Sequence, residues 1–295
     1  MINLKSINLD NGETLGYRER EGGEKVLVLI HGNMTSSKHW DLVMENIDPG
    51  FKVYAVDLRG FGISTYNKPI DSLKDFSDDV KLFVDALGLK DFALMGWSTG
   101  GGVSMQFVAD HPGYVNRLIL LASASTRGYP FYRSDKNGMP LLDQRLNTKE
   151  DIAADQARTI PILTAYENRD KNFLKALWNA VIYTRHQPDE ARYDAYLEDM
   201  LTQRNLVDVY YALNSFNISN QHNGLVEGTG DVANIQVPTL VLWGRNDLVV
   251  TEQMTLEIME DMGPNARLVY LEGCGHSPLV DDLDQLLNEV TNFLD

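Results

Sequence analysis

The stretch with the tightest hold on the fold is residues 92–102. An apolar run, Phe92-Ala93-Leu94-Met95, arrives at Gly96-Trp97-Ser98-Thr99-Gly100-Gly101-Gly102, and a helix-like pattern leaves through Val103, Met105, Gln106 and Phe107. Strand, sharp turn and helix follow one another with a serine at the apex. A turn of this kind strains the serine backbone and lifts the hydroxyl clear of the sheet edge. Gly96 and Gly100 flank the serine so that strand and helix can pass without Cβ clashes. A Gly-rich turn with no chemical role would share the pentapeptide. The strand before it and the helix after it set this one apart, and Ser98 is the candidate nucleophile.

The rest of the chain supplies a sheet for that turn. Residues 4–9 and 14–20 read as a hairpin turning at Asp10-Asn11-Gly12. Continuous apolar runs at 26–30, 53–56, 118–121 and 238–243 read as strands buried on both faces, as in a parallel sheet covered by helices. A last strand is expected at 266–271. Helical spacing is found at 37–47, 73–89, 251–262 and 284–294. Strand and helix alternate, which argues for an α/β fold with a mostly parallel central sheet and helices on both faces. Between 127 and 233 the pattern changes. No buried strand run occurs there, only helix-like stretches at 149–167, 172–183, 189–203 and 206–219, rich in aromatics that mostly fill their own core. The expected organisation is a core of residues 1–126 and 234–295 interrupted by a helical cap, 127–233.

Composition narrows the function classes. The 42 acidic residues outnumber the 26 basic ones, leaving a net charge of −16. Such a surface repels nucleic acid and anionic membranes, so neither is an expected partner. No apolar run reaches the roughly 18 residues needed to span a bilayer, and the N-terminus lacks a secretory pattern, so a cytoplasmic location is expected. Cys274 is the sole cysteine, which rules out an internal disulfide and a cysteine-rich metal site. No histidine or carboxylate set shows ligand spacing, so no metal is expected.

A serine needs a base within hydrogen-bond reach, and the base needs an orienting partner. Of the six histidines, His276 is best placed, in the loop Gly273-Cys274-Gly275-His276-Ser277-Pro278 after the last strand. The acid should follow the strand before, where Trp243-Gly244-Arg245-Asn246-Asp247 supplies Asp247; it could alternatively cap the next helix. Asp281 and Asp282 come after the histidine and break the order nucleophile, acid, histidine. An oxyanion hole needs two donors. The N–H of Thr99 and, from the loop His31-Gly32-Asn33, the N–H of Asn33 are the candidates. Met34, Trp97, Tyr129 and Trp178 are expected to line an apolar pocket. Asp57-Leu58-Arg59-Gly60-Phe61-Gly62 lacks dinucleotide-binding spacing and reads as a structural loop in which Asp57 and Arg59 pair or cap. Cys274 reads as a bystander.

Together, His31-Gly32, Asp57-x-Arg59-Gly60-x-Gly62-x-Ser64, the turn around Ser98, Gly244-Arg245-x-Asp247 and Gly275-His276 resemble the α/β-hydrolases of the capped, serine-nucleophile type, over about 14–125 and 237–295. The resemblance implies a Ser98–Asp247–His276 triad and no cofactor. Haloalkane dehalogenases and epoxide hydrolases of this fold carry aspartate where Ser98 stands. The carbon–carbon bond hydrolases of ring-cleavage products usually place tryptophan after the histidine, where this chain has Ser277. The turn is also similar to that of cofactor-free perhydrolases, which favour proline where this chain has Met34. The expected function is hydrolysis of a carboxylic ester of a small to medium, largely apolar molecule. Lactonase, thioesterase, perhydrolase and carbon–carbon hydrolase chemistry, or a non-catalytic ligand receptor, are the alternatives.

Overall fold

Leu27, Val28, Leu29 and Ile30 are all fully buried. Successive strand side chains point to opposite faces, so this run requires a sheet covered on both sides. A computed structural model, which describes residues 1–136 and 138–295, supplies that sheet. Its strands are β1 (Ile2–Asn8), β2 (Thr14–Arg20), β3 (Lys25–Ile30), β4 (Phe51–Val56), β5 (Phe92–Trp97), β6 (Val115–Leu121), β9 (Thr239–Gly244) and β10 (Ala266–Leu271). They lie in the order β1-β2-β4-β3-β5-β6-β9-β10. β1 and β2 form an antiparallel hairpin, β2 meets β4 antiparallel, and the remaining pairs are parallel. From β3 the chain winds outward to β4, then crosses back to β5 on the other side. The crevice beyond the carboxyl ends of β3 and β5 is therefore a topological switch point, the place where open α/β sheets bind ligands.

Helices cover the sheet in two groups. One includes α2 (Leu73–Ala86), α3 (Thr99–Asp110) and α9 (Glu252–Met262); the other comprises α1 (Asp41–Asn46), α10 (Pro278–Asp281) and α11 (Leu283–Leu294). α2 shows why the sequence folds this way. Leu73, Phe76, Val80, Phe83 and Val84 recur at helical spacing and are buried, while Ser72 and Asp75 close a capping box at its start. The helix expected over 37–47 divides into a 3₁₀ turn, Ser37–Trp40, and α1. Among the described residues no helix is long and apolar enough to cross a membrane.

The insert between β6 and β9 holds α4 (Lys149–Ala153), α5 (Thr159–Glu167), α6 (Lys171–Val181), α7 (Glu190–Met200) and α8 (Leu206–Ser215). It also contains a small antiparallel hairpin, β7 (Tyr132–Ser134) with β8 (Pro140–Arg145), where the sequence pattern suggested helices alone. No residue of either strand is buried, so no apolar run marks them. The single helix expected at 149–167 is two, α4 and α5. The loop after β4 is structural, as expected, but its pairing differs. Arg59 grips Asp79 of α2 through Nε (2.7 Å) and Nη2 (2.6 Å), while Asp57 accepts from the backbone N–H groups of Ser37 (2.9 Å) and Ile63 (3.0 Å).

The insert is pinned to the core through α7. Arg192 Nη1 lies 2.7 Å from Asp41 Oδ1 and Nη2 lies 2.9 Å from Glu45; Tyr196 donates to Asp41, and Ser36 donates to Asp199 at 2.6 Å. Burial alone would raise the Asp41 carboxyl. The Lys38 ammonium, the Tyr196 hydroxyl and the Arg192 guanidinium outweigh it and hold the carboxyl below its ordinary value. A depressed carboxylate contributes stability above its unfolded pKa of about 4 and loses it as pH falls through the folded value. Asp41→Asn should therefore cost about 1–3 kcal/mol of stability at pH 7. In urea unfolding the difference from wild type should shrink below about pH 4; a gap independent of pH would refute the charge argument.

Candidate active site

The turn at the end of β5 forces an unusual backbone. Ser98 has φ 56° and ψ −118°, a conformation that strains a residue bearing a Cβ. The closeness of packing explains the flanking glycines. A Cβ on Gly96 would fall 2.2 Å from the carbonyl oxygen of Gly100, and one on Gly100 would fall 2.2 Å from that of Ile30. Strand β5, helix α3 and the end of β3 thus meet backbone against backbone. The loop after β3 abuts the serine as well, since a Cβ on Gly32 would lie 3.1 Å from Ser98 Cβ and 3.7 Å from its Oγ.

Asp247 and His276 are brought together from the ends of β9 and β10. His276 Nδ1 lies 2.8 Å from Asp247 Oδ2, and both side chains are almost fully enclosed. Asp247 Oδ1 accepts the N–H groups of Val249 (2.7 Å) and Val250 (2.9 Å). Neighbours hold the two loops in register. A Cβ on Gly244 would fall 2.3 Å from the Gly275 carbonyl oxygen, and Asn246 N–H donates to the Cys274 carbonyl at 2.9 Å. Asp281, the rival acid, accepts from Gly275 N–H at 2.7 Å and so shapes the histidine loop instead. With Nδ1 engaged by Asp247, Nε2 of His276 makes no hydrogen bond to a described residue.

Ser98, Thr99, Asn33, Met34 and His276 border one cavity of about 290 Å³. Ser98 Oγ makes no hydrogen bond to a described residue. Neither do the N–H groups of Asn33 and Thr99 find an acceptor among the described residues, and Thr99 opens α3, where backbone donors are left over. Tyr129 and Trp178 line the cavity as expected. Trp97 does not. It is buried behind the site, donating from Nε1 to the His276 carbonyl at 2.9 Å with its ring 5.9 Å from the imidazole. A strand residue adjacent to the serine points into the core, so it supports the histidine loop rather than facing the ligand.

Among the wall residues missed by sequence reasoning are Phe131, Arg158, Ile162, Leu177 and Tyr210 of the insert. A second set stands behind Asn33. Gln203 donates to Asn33 Oδ1 (2.8 Å) and Asn205 Oδ1 (3.0 Å) and accepts from Tyr166 OH (2.9 Å). Nothing local in the sequence signals this link between the insert and the β3 loop.

The remaining candidates fall away from the site. His31 is fully buried; its Nε2 accepts from Leu58 N–H at 3.0 Å and its Nδ1 meets the Gly32 carbonyl at 2.7 Å. Burial pushes its pKa down, and it stitches the β3 loop to the β4 loop as a neutral ring. Burial likewise pushes the Cys274 thiol up to about 12, far from a thiolate at neutral pH. Asp78, Asp110 and His111 have ligand-type atoms within 4.8 Å of one another. However, Lys74 Nζ sits 2.9 Å from each carboxylate and offsets one of the two charges.

A family model described as the alpha/beta hydrolase fold matches residues 25–283. The chain belongs to the α/β-hydrolase family. It is 24% identical over 288 residues to a 2-hydroxy-6-oxononadienedioate/2-hydroxy-6-oxononatrienedioate hydrolase of Pseudomonas putida, covering 95% of this chain and 91% of that one. It is 27% identical to a pimeloyl-[acyl-carrier protein] methyl ester esterase of Nitrosomonas europaea, covering 92% and 96%. Among solved structures, an esterase from Exiguobacterium antarcticum superposes with a TM-score of 0.74 at 17% identity, over 98% of both chains.

The packing at the turn generates a direct test. Gly100→Ala would drive a methyl group into the Ile30 carbonyl, and it should destabilise the protein by about 3 kcal/mol or more or prevent folding. Gly113→Ala, where a Cβ meets nothing within 4 Å, should cost only about 1 kcal/mol for its positive φ. Equal unfolding midpoints for the two variants would contradict the close-approach argument.

Proposed function

We propose that the protein is a serine esterase that cleaves a carboxylic ester of a small to medium, largely apolar molecule through an acyl-enzyme on Ser98. The observation that carries this reading is the 2.8 Å contact between His276 Nδ1 and Asp247 Oδ2 at the wall of the cavity that Ser98 also borders. His276 Nε2 takes the Ser98 proton as the hydroxyl attacks the ester carbonyl, then returns it to the leaving alcohol. Water activated by His276 releases the acid. Asp247 fixes the tautomer and stabilises the imidazolium. The N–H groups of Thr99 and Asn33 hold the oxyanion, each such donor supplying about 3–4 kcal/mol of transition-state stabilisation. Contacts of this kind often tighten only once substrate is bound, which accords with a serine hydroxyl that has no partner among the described residues. The insert acts as a cap whose apolar wall, including Met34, Tyr129 and Trp178, receives the acyl or alcohol group.

The names of the Pseudomonas relatives favour a second reading, carbon–carbon bond hydrolysis of a 2-hydroxy-6-oxodienedioate by the same residues. Turnover separates the two. On p-nitrophenyl acetate, butyrate and octanoate, Ser98→Ala should lose nearly all activity and all labelling by a fluorophosphonate probe. Asp247→Asn should lower kcat by about 10⁴-fold with little change in KM. Unchanged rates in Ser98→Ala would refute the nucleophile. A kcat/KM on 2-hydroxy-6-oxononadienedioate above that on every ester would replace the ester reading with the second one.

A further inference from the structure

Beyond Ser98, Thr99, Asn33 and His276, the cavity wall is made of apolar side chains and two tyrosines, with one charged exception. Arg158, the residue that precedes α5, lines the cavity with Ser98 and His276. Its guanidinium lies 4.9 Å from the centroid of the Phe131 ring, and Phe131 is itself buried. The guanidinium forms no ion pair or hydrogen bond with any described residue. That is unusual in this chain, where acidic groups exceed basic ones by 16 and the other arginines of the insert all have partners. Arg133 meets Asp151, Arg145 meets Asn214, Arg169 meets Glu198, Arg192 meets Asp41 and Arg204 meets the Ser64 carbonyl. Arg185 reaches the Gly273 carbonyl.

A second polar group is idle at the same wall. Tyr210 is 6% exposed and lines the cavity, yet its hydroxyl has no hydrogen-bond partner among the described residues. Its ring lies 4.7 Å from that of Phe131, on which Arg158 also packs. Burial raises the Tyr210 and Tyr129 phenols; the Arg158 charge opposes the rise at both, while the Asp155 carboxylate adds to it at Tyr210 and Asp247 adds to it at Tyr129. A fork of N–H donors beside an O–H donor, neither bonded to a carboxylate among the described residues, is a receptor for an acceptor-only group. Arginine matches the planar, bidentate geometry of a carboxylate.

From this juxtaposition we infer that the substrate carries an anionic group, a carboxylate above all, remote from the bond that is cut, and that Arg158 with the Tyr210 hydroxyl binds it. The inference rests on the esterase reading for its chemistry, because the ester carbonyl must reach Ser98 while the far end meets Arg158. It deepens that reading from an apolar ester to the hemi-ester of a dicarboxylic acid, or the ester of a hydroxy acid. The apolar wall then accommodates the methylene chain between the two ends.

The test compares substrates that differ only in charge. One pair is the p-nitrophenyl hemi-esters of adipic and suberic acid against their ω-methyl esters, with the anion on the acyl side. The other is 6-acetoxyhexanoate against its amide, followed by pH-stat, with the anion on the alcohol side. In at least one pair the wild type should favour the anion in kcat/KM by roughly 10- to 100-fold, the range expected of a charge-assisted contact. Arg158→Met, which keeps the stem over Phe131, should bring that ratio close to one, and Tyr210→Phe should lower it by a smaller factor. Thermal unfolding of each variant confirms the fold. Binding of monomethyl suberate to Ser98→Ala and to Ser98→Ala/Arg158→Met, measured by calorimetry, needs no turnover. The double variant should bind roughly 10-fold or more weakly. Wild-type ratios at or below one in both pairs, or a ratio or affinity untouched by Arg158→Met, would overturn the proposal. Esters left uncut would overturn the esterase reading alone, since calorimetry still decides the role of Arg158.

Discussion

Three stretches of backbone meet at the end of β5 with no room for a side chain between them. The turn that follows the strand, the first turn of α3 and the carbonyls at the end of β3 lie so close that a single methyl group at Gly96 or Gly100 would overlap a carbonyl oxygen. Everything chemical in the molecule follows from that contact. It bends Ser98 into its strained conformation, places its hydroxyl above the switch point of the sheet, and sets the loop of Gly32 and Asn33 against it. The same device recurs on the other side of the site, where Gly244 permits the β9 end to touch the backbone of Cys274 and Gly275. Two bare backbone crossings thus bring residues 98, 247 and 276 to one edge from three separate strands.

Polar contacts then hold the loops that packing has placed. Asp247 is fixed by two backbone N–H groups before it meets His276, and the histidine loop is braced by Trp97 from below and Asp281 from the side. The insert is held down through Arg192, Tyr196 and Asp199, and Gln203 carries that attachment to Asn33. One insert residue thus anchors the side chain of Asn33. An enclosed polar site gains from such bracing, since a misplaced donor in a low-dielectric pocket loses most of its value.

Much of this was legible in the sequence because the signals were local. Continuous apolar runs marked the buried parallel strands, and the glycines around Ser98 marked the tight crossing. The order serine, aspartate, histidine, each after a strand, picked out Asp247 and His276 from many acids and six histidines. The misreadings share a different origin. Arg59 pairs with Asp79 rather than its neighbour Asp57, and Gln203 reaches Asn33 across 170 positions. Trp97 adjoins Ser98 in sequence but faces the core. The β7–β8 hairpin has no buried residue and so leaves no periodic trace. Arg158 stands out only once its guanidinium is seen to have no bonded partner among the described residues. Pairings made by tertiary structure, and partners that are missing, leave nothing in a window of neighbouring residues.

The central claim is that acyl transfer passes through Ser98. Mixing the protein with p-nitrophenyl butyrate, quenching in acid within the first turnovers and mapping peptides by mass spectrometry tests it most directly. The account predicts one butyryl group on the peptide that carries Ser98, absent in Ser98→Ala and accumulating when Asp247 is replaced by asparagine if deacylation is slowed more than acylation. Steady ester turnover by Ser98→Ala at the wild-type rate, or a butyryl group found only on another residue, would contradict it.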